Sequence, residues 1–119
     1  MRKWINLVEN AEPQFLYHGT WAGNLKSILR DGIRAPSYWG TYEVATSYRD
    51  QYDPGIIIRL PISAFDPDGL QPNEHLFRSL QDEDDETQIP KTWQASLEAV
   101  DSIVYDYDLQ IDKSDVLDA

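Results

Sequence analysis

The chain has 119 residues, 41% hydrophobic and 12% aromatic, which suits one globular domain with a packed core and excludes global disorder. It has no cysteine, so disulfides and thiolate metal sites are excluded, and it shows neither a membrane-spanning apolar run nor a signal-peptide pattern; a cytoplasmic protein with no membrane partner is expected. Lys and Arg number 10 against 21 Asp and Glu, a formal net charge of −11, so the surface repels nucleic acid and no direct DNA or RNA binding is expected.

Residues 1–12 are expected to hold an N-terminal helix, with Trp4, Ile5, Leu7 and Val8 forming an apolar stripe over 2–10 and Ala11-Glu12-Pro13 ending it. The apolar run Phe15-Leu16-Tyr17 predicts a short buried strand over 15–18, bounded by Pro13 and Gly19. Over 22–31, Leu25, Ile28 and Leu29 recur at helical spacing, and Gly32 stands where a left-handed C-cap belongs. Residues 33–41 read as short and extended, broken by Pro36.

Thr41 is a fair N-cap for a helix over 42–52, on which Val44, Ala45 and Tyr48 share one face. Asp53-Pro54-Gly55 predicts a turn, and 56–60 a strand rich in β-branched residues. Residues 62–73 read as irregular. An acidic loop is expected over 78–92, around the block 81–87. One or two helical turns follow over 92–98, then a strand over 100–105, a further short strand over 109–111 and a last helical turn over 113–117. The sum is a single mixed α+β domain over 1–119.

His18-Gly19-Thr20 is the most informative triplet. An imidazole that can donate and accept, a bare glycine backbone and a hydroxyl at a strand mouth can hold a sugar edge and an amide at once. Downstream lie the Tyr38-Trp39 pair, Tyr48 ten residues after Tyr38, and the late strand Asp101-Ser102-Ile103-Val104-Tyr105-Asp106 with Glu98 just before it. Each has a plainer reading: His18 bonded to backbone at a strand end, the aromatics in the core, the two carboxylates solvated. Trp93, with Leu97 four residues later, reads as core, and His75 has no second metal ligand at recognisable spacing. No phosphate-binding glycine loop and no serine–histidine–acid order is visible.

Taken in order, triplet, helix, glycine and tyrosine pair resemble the ADP-ribosyltransferase superfamily, in its diphtheria-toxin-like and poly-ADP-ribose-polymerase-like branch. The resemblance covers 14–61 and, more loosely, 93–117; Ala45 and Tyr48 reproduce the family's alanine-to-tyrosine spacing, and the two tyrosines stand about one residue closer than in the branch. It implies a split, bent antiparallel sheet with NAD, as substrate, in the cleft between its halves, and no metal. It implies that His18 bonds a ribose hydroxyl, the Gly19 backbone pairs with the nicotinamide carboxamide, Thr20 supports that ribose or the local turn, and Tyr38 and Tyr48 sandwich the nicotinamide ring. The family's catalytic glutamate, which stabilises an oxocarbenium-like transition state, falls on either Glu98 or Asp101, the latter one methylene shorter. The implied function is mono-ADP-ribosyl transfer to a macromolecule, a basic protein being favoured by the acidic 72–93 segment, in the manner of compact toxins, effectors and phage-borne modifiers. The second expectation is a catalytically degenerate version of this fold, an acidic binding module or inhibitor that occupies a basic, nucleic-acid-binding partner.

Overall fold

The apolar run beginning at Phe15 becomes the central strand of a six-stranded antiparallel sheet. The computed structural model describes residues 14–80 and 90–118, so the expected helix over 2–10 and the acidic block 81–87 lie outside the described residues. Strand β1 spans Phe15–Trp21, β2 Ser37–Gly40, β3 Gly55–Pro61, β4 Leu70–Pro72, β5 Ser102–Tyr105 and β6 Val116–Asp118. Their order across the sheet is β4-β5-β2-β1-β3-β6, with every pairing antiparallel. Helices α1 (Leu25–Asp31), α2 (Tyr42–Arg49), α3 (Glu74–Leu80) and α4 (Trp93–Val100) complete a single-domain α+β fold with short helices.

The pairing is uneven, and the unevenness positions the site. β1 pairs with β3 along its whole length, from Phe15 opposite Pro61 to Trp21 opposite Gly55. β2 pairs with β5 over all four of its residues, from Ser37 opposite Tyr105 to Gly40 opposite Ser102. Between these two ribbons, β1 and β2 share one register pair, Tyr17 opposite Gly40, and diverge beyond it. The sheet is therefore split, with a gap opening beside His18.

One face of the sheet carries the core. Leu16, Trp39, Ile58, Leu60 and Ile103 are buried there with Ile28 of α1, Leu97 of α4, Phe65 and Tyr105. A chain of edge-on rings runs through it, Trp39 to Phe65 at 5.1 Å between centroids and Phe65 to Tyr105 at 4.9 Å. The other face is covered by α2. Gly19 packs directly on that helix, since a Cβ there would collide with the Ala45 carbonyl oxygen and the Arg49 amide. Ile57, paired with Gly19 and so on the same face, is completely buried, which explains why Ile56, Ile57 and Ile58 run without polar alternation.

Several sequence expectations are refined. Pairing with β3 carries β1 past Gly19 to Trp21. α1 is preceded by a 3-10 turn at Ala22–Asn24, and Gly32 closes it with φ 80° but ψ −171°. This is extended backbone on the glycine-only side of the map, not the predicted left-handed cap, and it sets Ile33 to exchange both backbone bonds with Leu109. That bridge is all that forms of the strand expected over 109–111. Thr41 does cap α2, its hydroxyl accepting from the Val44 amide at 3.3 Å, but the helix stops at Arg49 rather than continuing to 52.

The segment 62–73, read as irregular, contains two 3-10 turns and the edge strand β4, which ends at Pro72 where edge position tolerates a missing N–H. α3 occupies 74–80, partly inside the expected acidic loop, because the Asn73 side-chain oxygen accepts from the Leu76 amide and starts a helix there. The last helical turn is a 3-10 turn at Lys113–Asp115, and 116–118 joins the sheet as β6.

Candidate functional site

The split between β1 and β2 opens into a cavity of about 300 Å³. It is lined by Tyr17, His18, Gly19 and Thr20 of β1, Tyr38 and Trp39 of β2, Ala45 and Tyr48 of α2, Tyr52, and Ser102 of β5. All five residues expected to hold a ligand, His18, Gly19, Thr20, Tyr38 and Tyr48, thus stand around one space. None of the lining side chains carries a full charge, although the chain as a whole carries −11.

His18 sits where the β1–β2 ladder fails and replaces it with a side-chain bond. Its Nδ1 lies 2.7 Å from the Tyr38 carbonyl oxygen. A carbonyl can only accept, so Nδ1 carries the hydrogen, and in the neutral ring Nε2 keeps its lone pair as an acceptor. No group among the described residues bonds Nε2. Burial pushes the His18 pKa below its ordinary 6.5, opposed by the bond to the Tyr38 carbonyl, so the ring is neutral at physiological pH. Its back lies on Trp39, ring centroids 5.2 Å apart, which ties the imidazole to the core.

The aromatic residues divide by exposure. Trp39 is buried and donates its indole N–H to Ser37 Oγ at 2.9 Å, so it is a core residue with one edge on the cavity. Tyr38 and Tyr48 remain 51% and 43% exposed, a state in which large rings are open to a stacking partner. Tyr17 is braced edge-on by Tyr42 at 5.5 Å. Thr20 Oγ1 accepts from Asn24 Nδ2 at 3.1 Å, which ties the end of β1 to the 3-10 turn that follows it. Gly19 has a structural reason to be glycine, its contact with α2, independent of any ligand.

The two candidate catalytic carboxylates are placed differently. Glu98 is exposed on α4, and neither it nor Asp101 lines the cavity. Asp101 precedes the late strand instead of lying on it: it is the left-handed C-cap of α4 at φ 60°, ψ 20°, a conformation that aspartate tolerates better than most residues. Its amide donates to the Leu97 carbonyl at 2.9 Å, and its carbonyl accepts from the Thr41 amide at 3.1 Å. The β5 residue that reaches the cavity is Ser102, one position later. The sequence reading passed over Ser102, Tyr17 and Tyr52; the register Gly40 opposite Ser102, invisible in the sequence, is what selects Ser102.

A second cavity, of about 410 Å³, is lined by Ile62, Ser63, Phe65, Pro67, Leu70, Trp93 and Gln94 and contains no titratable side chain. Trp93 packs against the core there, as its spacing from Leu97 suggested. Among the described residues no group of three or more His, Cys, Asp or Glu stands close enough to hold a metal, and no helix is long and apolar enough to cross a membrane. No protein-family model, no curated protein and no solved structure matches this chain.

Proposed function

We propose that this protein binds NAD through its nicotinamide riboside half in the cavity between β1, β2 and α2, as an NAD-binding mono-ADP-ribosyltransferase-like protein acting on a macromolecular, preferably protein, target. The observation that carries this reading is the convergence of His18, Gly19, Thr20, Tyr38 and Tyr48 on one cavity from three separate elements. A volume of about 300 Å³ lies at the low end of ligand pockets and suits a planar ring with one sugar. The lining holds no Lys or Arg to meet the pyrophosphate, which is left outside, while the open faces of Tyr38 and Tyr48 suit the cationic pyridinium ring. Tyr38 and Tyr48 would stack on the ring, and His18 Nε2 would accept from a ribose hydroxyl. NAD would supply an ADP-ribosyl group bonded to a pyridinium nitrogen, which departs as neutral nicotinamide when a nucleophile of the target, or water, bonds to the sugar carbon; the chain's own part would be to hold ring and sugar.

Transfer further needs a carboxylate at the sugar, and Glu98 and Asp101 are the candidates. That neither lines the cavity favours the second reading, a degenerate fold that serves as an acidic binding module or inhibitor of a basic, nucleic-acid-binding partner. One assay separates the two: chromatographic detection of nicotinamide released from NAD. The transferase reading expects release that is lost in His18→Ala and in the Glu98→Gln/Asp101→Asn double variant. NAD binding without release leaves the binding module. Release that survives His18→Ala contradicts the proposed site.

A further inference from the structure

We infer that Ser102 is a further ligand-contacting residue of this cavity, donating its hydroxyl hydrogen to an oxygen of the bound nicotinamide riboside half, with Asn73 as the positioning residue that aims it. The inference rests on the NAD reading above and adds a specificity contact to it. Ser102 is 3% exposed and borders the cavity, and behind it lies a buried polar network with Asn73 and Ser96, 5% and 0% exposed.

The hydrogen positions in this network follow from its partners. The Leu76 backbone N–H can only donate, and it meets Asn73 at 3.1 Å, so the atom facing it is Oδ1. The other amide atom is therefore Nδ2, which donates to Ser102 Oγ at 3.0 Å. Ser96 Oγ accepts from the Asn73 backbone N–H at 2.9 Å and donates to the Ser102 backbone carbonyl at 2.7 Å, so its hydrogen is taken. Ser102 Oγ is thus held as an acceptor from behind, and its own hydrogen has no acceptor among the described residues.

A buried hydroxyl with an unmet donor is costly unless something that enters the cavity accepts from it. His18 lines the same cavity, and its Nε2 is an acceptor with no partner among the described residues. Together they present one donor and one acceptor, which matches a ligand edge bearing both, such as a carboxamide or a ribose hydroxyl with its ring oxygen.

Calorimetric NAD titrations of the parent, Ser102→Ala and Asn73→Asp test this. In Asn73→Asp one carboxylate oxygen still accepts from Leu76, while the other accepts from Ser102 and turns the hydroxyl hydrogen away from the cavity. Both variants are expected to bind NAD about tenfold more weakly while still melting cooperatively. A purely structural network would lower the melting temperatures and leave affinity unchanged. If the parent binds NAD and either folded variant stays within about twofold of it, the inference is overturned and the NAD reading stands. If the parent does not bind NAD, both fall. Should Ser102→Ala fail to fold, Asn73→Asp decides.

Discussion

His18 closes the gap to Tyr38 through Nδ1–H and leaves Nε2 without a partner among the described residues; in the proposed site Nε2 would accept from the ligand. Burial lowers its pKa below 6.5. In the window between that lowered value and 6.5, the unfolded chain binds a proton that the folded chain does not, so stability falls as pH drops through the window and is flat above it. His18→Gln is expected to flatten the melting-temperature profile there. Asp31 and Asp112 are held below their ordinary 3.8, Asp31 by hydrogen bonds from Arg30 and Asp112 by those from Ser114; their stabilisation is lost only at lower pH, as a separate limb common to parent and variant. Unchanged pH profiles for parent and His18→Gln between 6.5 and about 4 would argue against this assignment. In the proposed site the ring of Tyr48, and not its hydroxyl, would stack on the nicotinamide. Tyr48→Ala is expected to weaken NAD binding by about 1 kcal/mol, and Tyr48→Phe to leave it nearly unchanged, by calorimetry. These residues were legible in the sequence because their chemistry is local. Ser102 was not, because its selection depends on a cross-strand register.

The contact between β1 and α2 decides whether the cavity has walls. A Cβ at Gly19 meets backbone atoms of Ala45 and Arg49, which cannot rotate away, so Gly19→Ala is expected to destabilise the fold by about 1–3 kcal/mol in denaturant unfolding. A neutral effect on stability would mean that α2 slides easily on β1. On the opposite face the Tyr105 hydroxyl accepts from the Asp66 amide at 2.8 Å and pins the 3-10 turn of Pro67–Gly69 to β5. Tyr105→Phe should cost about 1 kcal/mol, read as a shift in denaturant midpoint. Elements with strong local signals could be read from the chain: the apolar β1 and β3, the Thr41 cap, the helix around Leu97. β4 and β6 are three residues each and exist only because a neighbouring strand pairs with them, so the sequence carries no period for them. α3 was masked by acidic composition, and its start signal is the side chain of Asn73.

Net charge acts on the entire domain. With −11 spread over 119 residues, self-repulsion opposes compactness, and the melting temperature is expected to rise as sodium chloride screens it. A melting temperature that falls with salt would instead point to stabilising ion pairs. Under the proposed reading the same charge would bias partners toward basic surfaces, whereas the uncharged cavity would select NAD by shape, stacking and hydrogen bonds. The sheet's division into two ribbons, joined at Tyr17 and Gly40, unites these features: it makes the gap, and His18 bridges it. An NMR titration of the protein with NAD, following side-chain resonances, puts that cavity to the test. The expected result is saturable shifts at His18, Tyr38, Tyr48 and Ser102 with little change at Trp93 beside the other cavity; no shifts, or shifts centred on Trp93, would contradict it.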